Sequence, residues 1–338
     1  MKRAAYILLL VLASCSKPDG TDGELIAIRA DIRQMENNSK GTKAVADPYR
    51  GSTPTEENPL KAAVWFSVDP ASFIHSPADG TNLPCHTEMT FTSNAMTYAD
   101  YIPAGSQTPV SLKYPTTDNT PVYCVGFHPS TGWDKPDGGT EGVNVTHVID
   151  GTEDLMFADV IQGTWDEHFN ESQQYSHLLT WVKVTACAMT METAEQWGKV
   201  TDVQVTSDKS TVDIDLSKNT GKISYGGSPV KIQGNVPAEG VELSLTSKEI
   251  GSVFCIPKVK DGKVVVTVDI KTSKYETKTL DVTLMDLNYN PLTSVDQAIG
   301  GLFILSLYFN PFNLIEGTCT LNYWNDQNED LYLTPTAQ

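Results

Sequence analysis

Apolar and polar residues alternate with a period of two along most of the chain. Residues 24–32, ELIAIRADI, place four apolar side chains on one side of an extended backbone: Ile26, Ile28, Ala30 and Ile32. Residues 263–272, KVVVTVDIKT, and residues 279–287, TLDVTLMDL, repeat this alternation. Because successive side chains of a strand point to opposite faces, the pattern predicts strands with one buried and one solvated face.

Many further segments have the same strand-like character, and turn residues separate them. They are residues 59–69, 87–93, 109–115, 121–129, 155–162, 175–189, 199–207, 210–217, 241–247, 250–258, 301–309, 317–324 and 329–335. Two short stretches, 191–197 and 294–300, have helical character instead. So many strands without long intervening helices predict an all-β chain built of antiparallel β-sandwiches.

Two polar stretches interrupt the strand pattern. Residues 37–59 separate the first strand from all later ones, and a polar loop of this length is usually functional or mobile. Residues 162–174 interrupt the pattern near the middle of the chain. A chain of 338 residues favours two cores over one. We therefore predict an N-terminal sandwich over residues 24–168 and a C-terminal sandwich over residues 169–338.

The first twenty residues have the composition of a secretion signal. Lys2 and Arg3 precede an apolar run from residue 4 to residue 13, and the polar sequence SKPDGTDGE follows. Ten residues rise only about 15 Å as a helix, so this run is too short to span a bilayer. The stretch LASC resembles the lipobox of bacterial lipoproteins, in which Cys15 would be lipidated; the alternative is an ordinary signal cut near Ala13. We predict a signal peptide over residues 1–14, an acidic tether over 15–23, and membrane contact through the lipid alone.

Charge and cysteine usage exclude several partners. The formal net charge is −18, which disfavours nucleic acid and anionic lipid as partners. Five cysteines remain apart from the candidate lipidation site at Cys15, and they are widely spaced. One is Cys85, and the other four lie in apolar, strand-like runs: Cys124, Cys187, Cys255 and Cys319. We favour buried free thiols over disulfides, and the lack of clustered ligands predicts no metal or other cofactor.

The sequence shows no catalytic signature. GxSxG, HExxH, GxGxxG and P-loop motifs are absent from the chain. The acidic stretch NDQNED begins like a calcium-binding loop, but Leu331 and Ala337 stand where that loop needs glycine and an acid. We therefore predict that the protein is not an enzyme.

Two tryptophans lie in loop contexts and are candidate contacts for a glycan. They are Trp133, in STGWDKPDGG, and Trp165, in GTWDEHF. The alternative is that they pack beneath loops with their N–H groups satisfied. Trp65, Trp181 and Trp324 lie in strand-like segments, where core positions are expected.

The order of these features resembles the fimbrillins of Bacteroidetes, a family of major and accessory pilus subunits. A lipobox is followed by an isolated strand, a loop with basic residues, and a KAAVWFSV strand. In mid-chain, DLMFADV precedes YSHLLTWVKVTA, which contains His177. GGLFILSLYF and GTCTLNYW then resemble the paired closing strands of the family. The resemblance covers nearly the whole chain.

The resemblance implies two tandem transthyretin-like sandwiches and assembly by donor-strand exchange. In the family, an arginine- or lysine-specific protease cuts the loop after the first strand, and a neighbouring subunit's strand fills the groove left behind. Here we slightly favour Lys43, in GTKA, over Arg50 as the cut site. The alternative is that both residues are ordinary loop cations that no protease recognises. Leu331 and Leu333 mark the candidate donor strand.

The implied partners are other fimbrial subunits or further copies of this chain, in a stalk, tip or accessory role. A host protein or a glycan is left open as an adhesion ligand. The implied location is the outer face of the outer membrane, and the fimbrium after processing. Two alternatives are a glycan-binding surface lipoprotein of a polysaccharide-uptake system and a secreted hydrolase on a β-sandwich.

Overall fold

The fold is that of a nearly all-β protein, as the sequence predicts. The computed structural model describes residues 24–33, 54, 56, 59–70, 73, 85–93, 95–102, 107–115, 119–133, 144–216 and 222–322. Its strands are β1 (Ala27–Ile32), β2 (Leu60–Ser67), β3 (Cys85–Phe91), β4 (Thr97–Tyr98), β5 (Asp100–Tyr101), β6 (Val110–Ser111), β7 (Val122–His128), β8 (Asn144–Val148), β9 (Met156–Gly163), β10 (Ser172–His177), β11 (Thr180–Ala188), β12 (Lys199–Ser207), β13 (Thr211–Asp215), β14 (Lys222–Gly226), β15 (Val230–Gln233), β16 (Val241–Glu242), β17 (Lys248–Cys255), β18 (Lys258–Lys260), β19 (Lys263–Thr272), β20 (Lys278–Thr283), β21 (Leu302–Phe309) and β22 (Ile315–Asn322).

The strands form several sheets. The largest has the order β3-β2-β7-β9-β10-β1-β4, and a four-stranded sheet has the order β17-β11-β21-β22. A third sheet has the order β15-β12-β19-β18, with β16 beside β12 and β20 beside β19. β14, β13 and β8 form a three-stranded sheet, and β5 pairs with β6. The pairs β1–β10 and β11–β21 are parallel, in contrast to the predicted antiparallel pairing.

The two short helical stretches are present. Helix α1 spans Met191–Trp197, and the hydroxyl of its N-cap residue Thr190 accepts a hydrogen bond from the Thr193 N–H at 3.1 Å. A 3₁₀ helix spans Val295–Gln297. Among the residues that the structure describes, no helix has the length and apolar character needed to cross a membrane.

The buried apolar residues form two clusters, and β2 contributes to both. Ala62, Val64 and Phe66 belong to the first cluster, whose members lie between residues 26 and 175. Ala63 and Trp65, on the opposite face, belong to the second cluster, whose members lie between residues 63 and 321. The largest sheet is therefore covered on both faces at β2, because alternate side chains enter different clusters.

The predicted solvated face is wrong for β19. Val264, Val266 and Val268 are buried as expected, but Val265 and Asp269 on the other face are also buried. Side chains of the same sheet lie against Asp269: Lys231 of β15 pairs with its carboxylate at 2.6 Å, and the Thr279 hydroxyl of β20 donates to it at 2.5 Å.

The segment 175–189, predicted as one strand, is two. β10 belongs to the largest sheet and β11 to the four-stranded sheet, with Leu178 and Leu179 between them. Both leucines are buried in the second cluster. The chain therefore passes from one sheet to another without a polar interruption, which is why the sequence pattern appears continuous.

Candidate functional site: the first strand and its groove

The N-terminal half of the first strand hydrogen-bonds to the segment around β4 and β6. The N–H of Ile26 donates to the carbonyl of Leu112 at 2.8 Å, and the N–H of Tyr114 donates to the carbonyl of Glu24 at 3.0 Å. The N–H of Ala99 donates to the carbonyl of Ile26, also at 3.0 Å. These bonds run antiparallel, as does the pairing of β1 with β4.

The C-terminal half of the same strand pairs with β10 in a parallel register. The aligned residues run from Arg29 opposite Ser172 to Ile32 opposite Tyr175. The N–H of Arg33 extends this ladder, donating to the carbonyl of Tyr175 at 2.6 Å. The first strand therefore forms backbone hydrogen bonds along both of its edges.

Three of the four inward side chains of the first strand are fully enclosed. Ile26, Ile28 and Ala30 are each 0% exposed, and Ile32 is half-buried. Burial of an isoleucine side chain contributes roughly 1.5–3 kcal/mol, so Ile26 and Ile28 together contribute roughly 3–6 kcal/mol. Loss of the strand would open an apolar channel, which we call the β1 groove. The largest buried aromatic residues of the first cluster are five: Phe66, Phe91, Tyr114, Phe169 and Tyr175.

One wall of the β1 groove contains a buried polar chain. The Tyr175 hydroxyl donates to Gln173 Oε1 at 3.0 Å, and Gln173 Nε2 donates to Cys124 Sγ at 3.3 Å. Burial raises the pKa of Tyr175 well above its ordinary value. Gly126 lies against this chain, and a Cβ there would come within 2.0 Å of the Tyr175 hydroxyl. The groove wall therefore depends on a glycine at position 126.

Tyr114 and His168 close the end of the groove near Glu24. His168 Nε2 contacts the Glu24 carboxylate, and its ring stacks on Tyr114 with 5.0 Å between centroids and 8° between planes. The N–H of Phe169 donates to the Tyr114 hydroxyl at 3.0 Å. Burial raises the pKa of Tyr114 to about 12, so the phenol is neutral at physiological pH.

Two outward side chains of β1 also contact the segment that carries β10. Arg29 Nη2 donates to the Asn170 carbonyl at 2.5 Å, and Gln174 Nε2 donates to Asp31 Oδ2 at 3.4 Å. Each contact is exposed or part-buried and so contributes little by itself. The apolar face and the two backbone ladders hold the strand.

Sequence reasoning missed the partner of the first strand. Residues 162–174 were predicted to separate two domains, yet they include the start of β10 and the contacts of His168 and Asn170 with β1. The buried alternate positions of β10 are Gln173 and Tyr175, which are polar enough to hide the period of two. The only sequence signal for the start of β10 is the alternation of Gln173, Tyr175 and His177.

Several predicted site residues lie outside the described part of the chain. They are the lipidation site Cys15, the processing sites Lys43 and Arg50, the donor residues Leu331 and Leu333, and also Trp324.

The two candidate glycan contacts, Trp133 and Trp165, differ in their exposure and packing. Trp133 is 7% exposed, its Nε1 donates to the Pro129 carbonyl at 2.9 Å, and its ring packs on Phe127 and His147. Within the described part of the chain, these contacts leave Trp133 too little exposed surface for a sugar to stack against. Trp165 is half-buried and packs against the first cluster.

The cysteines behave as small apolar residues. Cys85, Cys124, Cys187, Cys255 and Cys319 are all free and buried, as the sequence predicts. Burial raises the pKa of Cys85 and Cys255 to about 12. A thiol with such a pKa is a poor nucleophile at neutral pH.

Histidine and acidic side chains pair locally. His177 Nδ1 lies 2.8 Å from Asp154 Oδ2, where β10 ends, and His147 Nε2 lies 3.5 Å from Glu153 Oε2. Within the described ranges, no group of three or more His, Cys, Asp or Glu residues could hold a metal ion.

Comparisons with known proteins give a fold. No protein-family model matches the chain, and no curated protein matches it. A candidate cell adhesion protein from Bacteroides uniformis is similar in structure, with 13% identity, a TM-score of 0.52, and coverage of 89% of this chain and 98% of that one. A candidate adhesin from Bacteroides thetaiotaomicron has 10% identity, a TM-score of 0.49, and coverage of 90% and 97%.

A fimbrial protein from Bacteroides vulgatus has 13% identity, a TM-score of 0.42, and coverage of 88% of this chain and 99% of that one. These three solved structures are described as candidate adhesion or fimbrial proteins of Bacteroides. At 13% identity and a TM-score of 0.52, the likeness to the Bacteroides uniformis protein shows a shared fold alone.

Proposed function

We propose that this protein is a non-enzymatic, surface-exposed lipoprotein that acts in adhesion as a structural, tip or accessory subunit of a pilus. Its assembly is triggered by proteolysis. A cut in the loop 37–59 releases the first strand, and the strand of another subunit replaces it. Cys15 carries the lipid that holds the precursor at the outer membrane.

The position of the first strand carries this proposal. β1 hydrogen-bonds on two sides and buries Ile26, Ile28 and Ala30 completely. Its departure would leave unpaired backbone groups beside an apolar groove. Such a site favours β-augmentation, in which main-chain hydrogen bonds give affinity and alternate side chains fill pockets.

The loop controls release through effective concentration. While the loop is intact, β1 is tethered to its own groove and rebinding is intramolecular. A cut after Lys43 or Arg50 makes the strand a separate peptide that can diffuse away. Because Cys15 precedes β1, the same cut would leave the lipid with the strand and free the remainder of the protein from the membrane.

The glycan-binding alternative has less support. It rests on an aromatic platform that includes Trp133 or Trp165, and Trp133 is buried. In this proposal the processed subunit acts in adhesion, and it binds a host protein or a glycan.

Limited proteolysis tests the proposal. The purified full-length protein in detergent is treated with a lysine/arginine-specific protease, and mass spectrometry identifies the new N-terminus. We expect Ala44 or Gly51 as the first residue, followed by loss of residues 24–32 from the folded protein.

The control variants separate this loop from other basic positions. Lys40→Ala, Lys43→Ala and Arg50→Ala together remove every basic residue of the loop 37–59 and should abolish release, whereas Lys263→Ala, at the exposed first residue of β19, should leave it unchanged. If β1 stays bound after both loop sites are cut, even in the presence of competing strands, the proposal is wrong.

A further inference from the structure

Five large apolar side chains are exposed at one end of the four-stranded sheet. β11 ends at Ala188, which aligns with Phe309 of β21, and Phe309 aligns in turn with Ile315 of β22. The N–H of Ala188 also donates to the carbonyl of Ser244, in the segment that precedes β17, at 2.8 Å. Three connections therefore meet at this end. They carry the exposed residues that we call the apolar tip: Met189, Met191, Leu245, Phe312 and Leu314.

The residues of the apolar tip protrude from the molecule. Each is more than half exposed, and Phe312 is 87% exposed. Single apolar residues scattered on a surface are normal, but a group of them at one place marks an interaction site. Because these five lie on turns and at the start of α1, they stand out from the surface and do not line a groove.

We propose that the apolar tip inserts into the surface of a zwitterionic phospholipid membrane. This inference goes beyond the proposed function and does not depend on release of the first strand. It adds a contact made by the protein itself to the predicted contact through the lipid at Cys15.

A tightly bonded turn holds Phe312 in its exposed position. The buried side chain of Asn310 accepts the N–H of Phe312 at 3.0 Å and the N–H of Leu314 at 3.1 Å through its Oδ1. The Asn310 carbonyl accepts a hydrogen bond from Nε1 of the buried Trp197 at 2.9 Å. The turn is thus fixed to the core, and insertion of Phe312 costs little backbone freedom because its position is already set.

Lysine side chains surround the apolar tip. Three ammonium groups donate to backbone carbonyls beside it: Lys278 to Asn313 at 3.5 Å, Lys248 to Glu242 at 3.3 Å, and Lys274 to Glu195. A lysine keeps its charged end in water while its carbon chain lies along apolar surface. These ammonium groups can therefore meet lipid phosphates at the level where the apolar side chains enter the membrane.

The local charge favours a zwitterionic membrane over an anionic one. Residues 189–199, 242–249, 273–278 and 309–316 contain four lysines and six glutamates, a difference of −2, whereas the whole chain has a net charge of −18. A choline or ethanolamine headgroup carries a phosphate and an amine, so it suits lysines and glutamates together. The field of the remaining chain would repel an anionic surface.

The shape of the apolar tip favours lipid over a protein partner. Aromatic anchors in protein interfaces bind in well-packed pockets that match them. A lipid surface needs no preformed pocket, because its chains adapt to whatever side chain enters. Met189 and Met191 fit this interpretation, since the unbranched methionine side chain adapts to irregular surroundings.

Vesicle binding tests the inference. The chain from Ser16 onward keeps every described residue and lacks the signal segment and the lipidation site, so any binding belongs to the folded protein. It is sedimented with sucrose-loaded vesicles of phosphatidylcholine. We expect binding, and we expect Phe312→Asp to lower the partition coefficient by about tenfold or more. Vesicles that also contain phosphatidylserine should bind less, and tighter binding to them would overturn the choice of a zwitterionic surface.

Tyr289→Asp is the matched control. Tyr289 is 69% exposed in the turn that follows β20, whereas Lys278, beside the apolar tip, begins that strand. This turn therefore lies at the other end of β20. The Tyr289→Asp chain should bind vesicles like the natural chain. An equal loss of binding in the two variants would show that the apolar tip is not the site of contact.

Phe312→Trp gives a second readout that keeps a large apolar side chain. With vesicles present, its fluorescence should shift to shorter wavelength and be quenched by spin labels on the lipid chains. Tyr289→Trp provides the baseline for the natural tryptophans. Quenching of Phe312→Trp no greater than that of Tyr289→Trp would overturn the inference.

Analytical ultracentrifugation without lipid decides the remaining alternative. A chain that ignores vesicles but self-associates, and loses this self-association with Phe312→Asp, would assign the apolar tip to a second copy and overturn the inference. None of these experiments requires release of the first strand. Their failure therefore leaves the proposed function intact, and failure of strand release leaves this inference intact.

Discussion

At the scale of single residues, the groove wall depends on small side chains beside large ones. Gly126 faces the Tyr175 hydroxyl, and Tyr175 is 0% exposed with its oxygen bonded to Gln173. The sequence predicts the buried face of Ile26 and Ile28 from their spacing alone. It could not predict Gly126, because only the packed structure brings that backbone against Tyr175.

Gly126→Ala should destabilise the protein. The added methyl group would meet the tyrosine oxygen, which cannot move without breaking its buried hydrogen bond, so we expect a loss of about 1–3 kcal/mol in the free energy of unfolding. Equilibrium urea unfolding measures the change. Tyr175→Phe in the same chain should recover part of the loss, since it removes the nearest atom; no recovery would mean that the clash is elsewhere.

At the scale of elements, a charged cluster joins β18, β19 and β20. Asp281 accepts hydrogen bonds from Lys260 at 2.6 Å and from Thr267, and pairs with Lys258 at 3.3 Å. Partial burial alone would raise the pKa of Asp281, but these donors outweigh it and lower the pKa to about 2. The carboxylate thus favours the folded state at any pH where the unfolded chain is ionised.

Asp281→Asn should reduce stability at neutral pH and not in acid. The folded pKa lies below the ordinary value of 3.8, so the contribution is complete above pH 4 and is lost as the pH falls toward 2. After allowance for solvent screening of a partly exposed group, we expect a loss of about 1 kcal/mol at pH 7.

Urea unfolding of the natural chain and the Asp281→Asn variant between pH 7 and pH 2 tests this dependence. Asp261→Asn, at the neighbouring turn, is the matched control and should change little at any pH. A difference for Asp281→Asn that stays constant down to pH 2 would contradict the assignment.

At the scale of the whole molecule, two apolar clusters meet on opposite faces of the largest sheet. The first contains the groove of β1, and the second contains the core of β12, β19 and β21. The proposal requires the first cluster to open without loss of the second. The two-domain division between residues 168 and 169 stays a prediction, and its boundary does not separate the clusters, because Phe169 and Tyr175 belong to the first cluster.

Hydrogen exchange before and after proteolysis tests this separation. Release of β1 should lower the protection of the Ala99 and Tyr114 amides by at least about tenfold, because both donate to carbonyls of the first strand. Amides of Val205 and Val268, in β12 and β19, should keep their protection. Mass spectrometry of the protein with Lys40→Ala, Lys43→Ala and Arg50→Ala, treated identically, gives the baseline. An equal loss of amide protection in β12 would show that the two clusters unfold together.

The sequence by itself determined the all-β class, most strand positions and the buried side of the first strand. Period-two alternation is a local property, so residues 199–207 and 263–272 match β12 and β19 at both ends. The free thiols follow equally from local composition. Alternation fails where polar residues occupy buried positions, as in β10, or where strands are short, as with Val110–Ser111 and Val241–Glu242.

Only the tertiary structure decided which strands are neighbours and which residues face one another. Parallel pairing of β1 with β10 joins residues 143 positions apart, as Arg29 and Ser172 show, and no local pattern encodes such a partner. Burial of Trp133 also depends on the folded chain, since Phe127 of β7 and His147 of β8 pack against its ring. Side-chain alternation specifies a face, whereas the packing of distant strands specifies what that face meets.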